Sequence, residues 1–159
     1  MKKIYVFLYV LGAISLLLGV SLYIFIQKSA TDYNFEISSS AIESDVRIVF
    51  DDMAVPHIYA ETETDAMFAL GYVHASERLW QMDLLRRAGG GELSELFGED
   101  MIENDRYLRT LGMRKAAIKD AAEFDKTSSE KTKVAALAYL KGINTFIDEE
   151  KYPVEYKIL

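Results

Sequence analysis

The chain has 159 residues, half of them apolar, with 25 acidic against 18 basic side chains and no cysteine. The absence of cysteine excludes disulfides, thiolate catalysis and cysteine-based metal sites. The apolar content excludes wholesale disorder, and the length suffices for one ordinary domain.

Hydrophobicity is concentrated at the N-terminus. Ile4 to Ile26 is a run of 23 residues without a charge. As a helix it measures roughly 35 Å at ~1.5 Å per residue, against a hydrocarbon core about 30 Å thick. Fifteen of its residues are Leu, Ile, Val or Phe, and Lys2 and Lys3 precede it. The run therefore reads as a membrane span with the N-terminus cytoplasmic and residues 29–159 outside, periplasmic or extracellular. A cleaved signal peptide is the competing reading. Its apolar region is usually about 7–15 residues and ends at a small-x-small site. This run is longer and ends Tyr23-Ile-Phe-Ile-Gln-Lys28, which favours an uncleaved anchor. Residues 1–28 hold three of the 18 basic residues and no acid, leaving 15 against 25 and a net charge of −10 beyond them. An exported part this acidic argues against nucleic acid as a partner.

Residues 29–44 read as a polar linker. Val46, Ile48 and Phe50 then alternate with Arg47, Val49 and Asp51, the period of a half-buried strand. Asp51-Asp52 begins a turn, and His57 to Glu61 returns as a second strand, with Pro56 confined to the loop or a sheet edge. A long helix is predicted from Asp65 to Arg87. Thr62 or Thr64 is placed to cap it, and Thr62-x-x-Asp65 has capping-box spacing. Phe68, Gly71, Ala75, Leu79 and Met82 form one apolar stripe, and Ala69, Val73 and Trp80 an adjacent one. Asp83 and Arg87 are spaced for an i,i+4 ion pair. Gly89-Gly90-Gly91 ends the helix.

Shorter helical patterns follow over Glu92 to Phe97 and over residues 99–122, the latter broken near Leu111-Gly112. Ser128 or Ser129 caps a last helix to Asp148, with Ala136, Leu140, Ile143 and Ile147 on one face. Tyr152 to Tyr156 is an exit segment. The fold class is α+β: an N-terminal transmembrane helix, then a β-hairpin and several helices. One hairpin is too small to cover the apolar faces of these helices, so residues 45–159 read as an incomplete domain.

The residues alone reveal no catalytic centre. His74 and Glu77 share a helical face at i,i+3, as in half of a carboxylate-bridged metal site. No second such pair exists, and a packed or hydrogen-bonded pair is the plainer reading. His57 follows Pro56 and reads as a strand-end residue. Ser94 lies in Gly91-Glu-Leu-Ser-Glu-Leu-Phe-Gly98, which is not a Gly-x-Ser-x-Gly elbow. The glycines at 89–91 lack the lysine of a phosphate loop. Glu99-Asp100 and Asp148-Glu-Glu150 read as solvated helix ends, and Trp80 as a core anchor. Arg86-Arg87 reads as a clamp on carboxylates or carbonyls of another segment. The expected catalytic and metal residues of this chain are none, and no substrate-binding residue is assigned.

A longer pattern emerges when the motifs are taken together. Val55-Pro-His-Ile-Tyr-Ala60, Asp65-Ala66, Gly71-Tyr-Val-His-Ala75, Glu77-Arg-Leu-Trp-Gln-Met82, Arg86-Arg87 and Leu93-Ser-Glu-Leu-Phe-Gly98 stand in order without gaps. Asp105, Arg109, Leu111-Gly112, Ala138-Tyr139, Gly142 and Asn144 continue it. The series resembles the start of the penicillin acylase (penicillin amidase) family, N-terminal-nucleophile hydrolases. Three positions depart from it: Ala54 where Gly is usual, Glu77 where Asp is common, and Gly91 where a basic or polar residue often stands. An alanine at position 54 would be strained wherever φ is positive.

The resemblance implies an αββα fold and an exported precursor that cuts itself into two chains. It implies catalysis by an N-terminal Ser of the second chain through an acyl-enzyme, with non-peptide amides such as β-lactam side chains or N-acyl homoserine lactones as substrates. It also implies a possible calcium in the full-length enzyme. None of the family's catalytic or metal positions maps onto this chain, so the expectation is a first-chain fragment, inactive alone. A non-catalytic membrane-tethered module or a truncated remnant is the alternative.

Overall fold

A computed structural model of the chain describes residues 2–29, 39 and 42–158. The chain divides into two units, residues 1–34 and residues 35–159. Among the described residues the first contains one helix, α1, Lys2–Ser29. Its stretch Lys3–Gln27, of mean hydropathy 2.2, is long and apolar enough to cross a membrane, and none of it is buried. The Ser15 hydroxyl donates to the Leu11 carbonyl one turn back (3.0 Å), so it makes its bond inside the helix. Of the linker expected over residues 29–44, positions 30–38, 40 and 41 lie outside the described residues.

The second unit opens with an antiparallel hairpin of β1, Arg47–Phe50, and β2, Pro56–Tyr59. Ile48 faces Ile58 and Phe50 faces Pro56 across the pair. Pro56 is thus the first residue of a strand. A proline is tolerated there because a two-stranded sheet has only edges, where a missing N–H breaks no ladder. Ile48, Phe50 and Ile58 are half-buried, while Arg47, Val49, His57 and Tyr59 are exposed. The Arg47 guanidinium stacks over the Tyr59 ring at 4.7 Å. β2 lies against the long helix that follows.

That helix, α2, is Glu63–Gly90. Thr62 caps it, its hydroxyl accepting from the Asp65 amide (3.0 Å). Only half of the expected capping box forms, because the Asp65 carboxylate is taken by the amides of Glu43 and Ser44 (2.9 and 3.3 Å). At Arg78 the backbone leaves helical values (φ −141°, ψ 19°), which kinks α2. Gly91 ends it in the left-handed region.

Three short elements follow: α3, Ser94–Phe97, a 3₁₀ turn at Glu99–Met101, and α4, Ile102–Leu111. Gly112, at φ 71°, separates α4 from α5, Met113–Thr127. A left-handed residue there cannot continue a helix, so the break falls at the glycine. Next comes α6, Glu130–Asp148, whose Ser129 cap accepts from the Thr132 amide (3.2 Å). The exit segment runs into a short helix, α7, Glu155–Ile158.

The core is the pairing of α2 with α6. Tyr72, Ala75, Leu79 and Phe146 form its centre, with Ile143 and Ile147 against it. Each large apolar side chain buried here contributes ~1.5–3 kcal/mol. The rings of Tyr72 and Phe146 meet edge to face at 5.5 Å, a geometry that adds about 0.5–1.5 kcal/mol. Two glycines set the spacing. A Cβ on Gly142 would overlap the Phe68 carbonyl of α2, and a Cβ on Gly71 would overlap the Tyr139 carbonyl of α6. The helices therefore touch backbone to backbone, closer than any side chain allows. The two expected stripes of α2 are buried along Phe68, Gly71, Ala75 and Leu79 and at Ala69 and Val73, with Met82 and Trp80 half-buried. On α6 the expected face holds at Ile143 and Ile147 and is corrected at Leu140, which is 51% exposed, while Ala138, Gly142 and Phe146 are buried. The close approach selects the small residues of α6, and Leu140 lies on the flank they leave.

Candidate functional site

The polar groups worth weighing as a site lie where α2 ends and the chain turns through α3 into α4. Asp83 sits about two turns before the end of α2 and binds both arginines of the pair. Its Oδ1 accepts from Arg86 (2.7 Å) and its Oδ2 from Arg87 Nε (3.0 Å). Arg87 reaches on to Glu95 of α3 (3.1 Å). Arg86 reaches Glu92 (3.5 Å), which also binds Arg114 of α5. The double arginine is therefore the expected clamp, holding carboxylates of its own helix and of the turn that follows. Burial raises the carboxyl pKa of Asp83, but the two guanidiniums outweigh it and hold the group below its usual value.

Below this layer lies Asp105 of α4, 4% exposed. Its carboxylate accepts from the amides of Leu93 and Ser94 (both 2.8 Å) and from the Ser94 hydroxyl (2.6 Å). Arg109, one turn later, donates to the Gly91 carbonyl (2.8 Å). Burial opposes ionisation of Asp105, yet the Ser94 and Leu93 donors and the charge of Arg109 keep its pKa lowered. This carboxylate is the missing cap of α3, since Leu93 supplies no side-chain bond of its own.

The contacts named here tie the end of α2, α3, α4 and α5 together. Ser94 donates its hydroxyl proton to an already ionised carboxylate, and no imidazole or amine takes part, so nothing activates the oxygen as a nucleophile. The two histidines are committed elsewhere. His74 Nδ1 bonds the Tyr139 hydroxyl of α6 (3.0 Å). His57 Nε2 lies 3.2 Å from Asp51 across the hairpin. His74 thus follows the plainer reading of a hydrogen-bonded residue. No group of three or more His, Cys, Asp or Glu able to hold a metal occurs among the described residues.

The hairpin turn is a third carboxylate-held segment. Asp51 accepts from the amides of Met53 and Val55 (both 2.9 Å). The Val55 amide first, then His57, hold its pKa below the usual value. Ala54 lies between, at φ 58°. This is the strained conformation expected for an alanine where glycine is usual, at about 1–2 kcal/mol.

Two tethers escape sequence reasoning. The Tyr72 hydroxyl donates to Glu149 (2.9 Å), and burial, followed by this hydrogen bond and then the charge of Glu149, raises its pKa. Glu149 is thus a core acceptor rather than a solvated helix end. Trp80 is half-buried and meets Tyr156 of α7 edge to face at 5.4 Å, so it anchors the exit helix instead of the core centre. The alternation of apolar residues carries no trace of either contact. The one available signal for Glu149 was a buried tyrosine needing an acceptor.

Residues 45–159 match the penicillin amidase family profile. The chain belongs to that family. It is 36% identical over 135 residues to the penicillin acylase 2 proenzyme of Pseudomonas sp. (strain SE83), a match covering 84% of this chain and 17% of that protein. It is 40% identical over 95 residues to an acyl-homoserine lactone acylase of Pseudomonas fluorescens (strain Pf0-1), covering 60% of this chain and 11% of the other. Penicillin G acylase of Escherichia coli is 33% identical over 106 residues, 67% of this chain and 12% of that one. Among solved structures, a thermostable penicillin G acylase from Alcaligenes faecalis aligns with a TM-score of 0.58 and 25% identity, over 70% of this chain and 60% of the other. The chain thus spans less than one fifth of the length of these curated relatives, and its fold of helices with one antiparallel hairpin is similar to that of penicillin acylase.

Proposed function

We propose that this chain supplies part of the first-chain scaffold of a membrane-anchored amidohydrolase that hydrolyses a non-peptide amide. The carrying observation is the match of residues 45–159 to the penicillin amidase family, combined with the carboxylates of Asp65 and Asp105, which hold backbone amides, and of Asp83, which holds two arginines. In this reading the nucleophile is an N-terminal Ser of a second chain. Its Oγ attacks the amide carbonyl while its own α-amine accepts the proton. The amine leaves, and water releases the acid from the acyl-enzyme. The substrate is a small acyl amide: the relatives include both penicillin acylases and acyl-homoserine lactone acylases. Calcium, if the full-length enzyme takes it, is held by residues outside those described. The αββα layering of the whole enzyme is completed by the second chain, with the hairpin entering its sheet. Helix α1 anchors the chain with its N-terminus cytoplasmic; its length and mean hydropathy of 2.2 support this.

A chimera tests the scaffold reading. Residues 45–159 replace the aligned segment of the Pseudomonas sp. penicillin acylase 2 proenzyme. The expected result is self-cleavage into two chains and release of the acyl side chain from a penicillin or an N-acyl homoserine lactone. A chimera that folds and secretes but neither cleaves itself nor hydrolyses either amide would overturn it. Retention of the native chain in membranes after alkaline carbonate washing, with Met1 or Lys2 still at its N-terminus, tests the anchor.

A further inference from the structure

We draw no further inference here: the strongest candidate, the exposed apolar stripe of α5 through Met113 and Ile118 beside the open groove at Gly89, Gly90 and Lys115, carries nothing because nothing in the structure shows what covers it.

Discussion

The α2–α6 pair and the segment from Gly91 to Thr127 are held by different forces. The pair buries Phe68, Tyr72, Leu79 and Phe146 around a crossing at Gly71 and Gly142. The segment contains three helices, and Asp105 is the only buried residue in them. Apolar area and close backbone contact hold the first. One carboxylate, a chain of ion pairs and an arginine on a carbonyl hold the second. The hydrophobic pair should therefore answer to volume and the segment to hydrogen-bond donors and pH.

The largest expected effect is in the pair. Phe146→Ala removes the ring that meets Tyr72 and should destabilise the protein by about 3–5 kcal/mol. Thermal melting followed by circular dichroism checks this, at ~2–4 °C per kcal/mol. A shift under a degree would show that the pair is not the core.

Gly142→Val comes next, at roughly 1–3 kcal/mol, because a Cβ meets the Phe68 carbonyl and the helices must separate. Gly89→Ala is its control, since a Cβ there meets nothing.

Asp105→Ala sharpens the contrast. It should speed amide exchange at Leu93 and Ser94 by roughly tenfold or more while leaving the Tyr72 and Val73 amides unchanged. Equal acceleration in both regions would show that the two are not separately held.

Acid should act on the same division. Asp65 and Asp105 both have folded pKa values below the usual 3.8. For Asp65 the Glu43 amide is the leading cause, set against burial. The stability they contribute is fully present above the unfolded value and is lost as pH falls through the lower folded value. Stability should be flat with respect to these groups at neutral pH and fall below about pH 4. The fall should be shallower in Asp105→Asn, as read by denaturant titration across pH.

The smallest effect is in the hairpin. Ala54→Gly relieves a positive φ and should stabilise by less than about 1 kcal/mol, because the flexible glycine gives back part of the gain through the unfolded chain.

The same contrast explains what could be read from the sequence. The stripes of α2, the Thr62 and Ser129 caps, the Asp83–Arg87 pair and the break at Gly112 follow from short-range spacing, and each is present. Of the face expected on α6, Ile143 and Ile147 pack against the core, whereas hydrophobicity also marks the exposed Leu140 and passes over Gly142 and Ala138, which the crossing selects for size. Asp65 and Asp105 bind backbone amides 22 and 12 residues away. An amide has no residue identity, so no pattern announces it. The Tyr72–Glu149 bond joins residues 77 apart, and no short-range spacing marks it. The family motifs were legible as a series, and their roles here are packing, capping and ion pairing.

The most direct test of the central claim is hydrolysis by the purified 159-residue chain, measured by mass spectrometry with a penicillin and an N-acyl homoserine lactone as substrates. The scaffold account predicts no amide cleavage above buffer, while a mature penicillin acylase run alongside cleaves. Acid and amine released by the chain in proportion to its concentration would contradict it and place a working nucleophile among these residues.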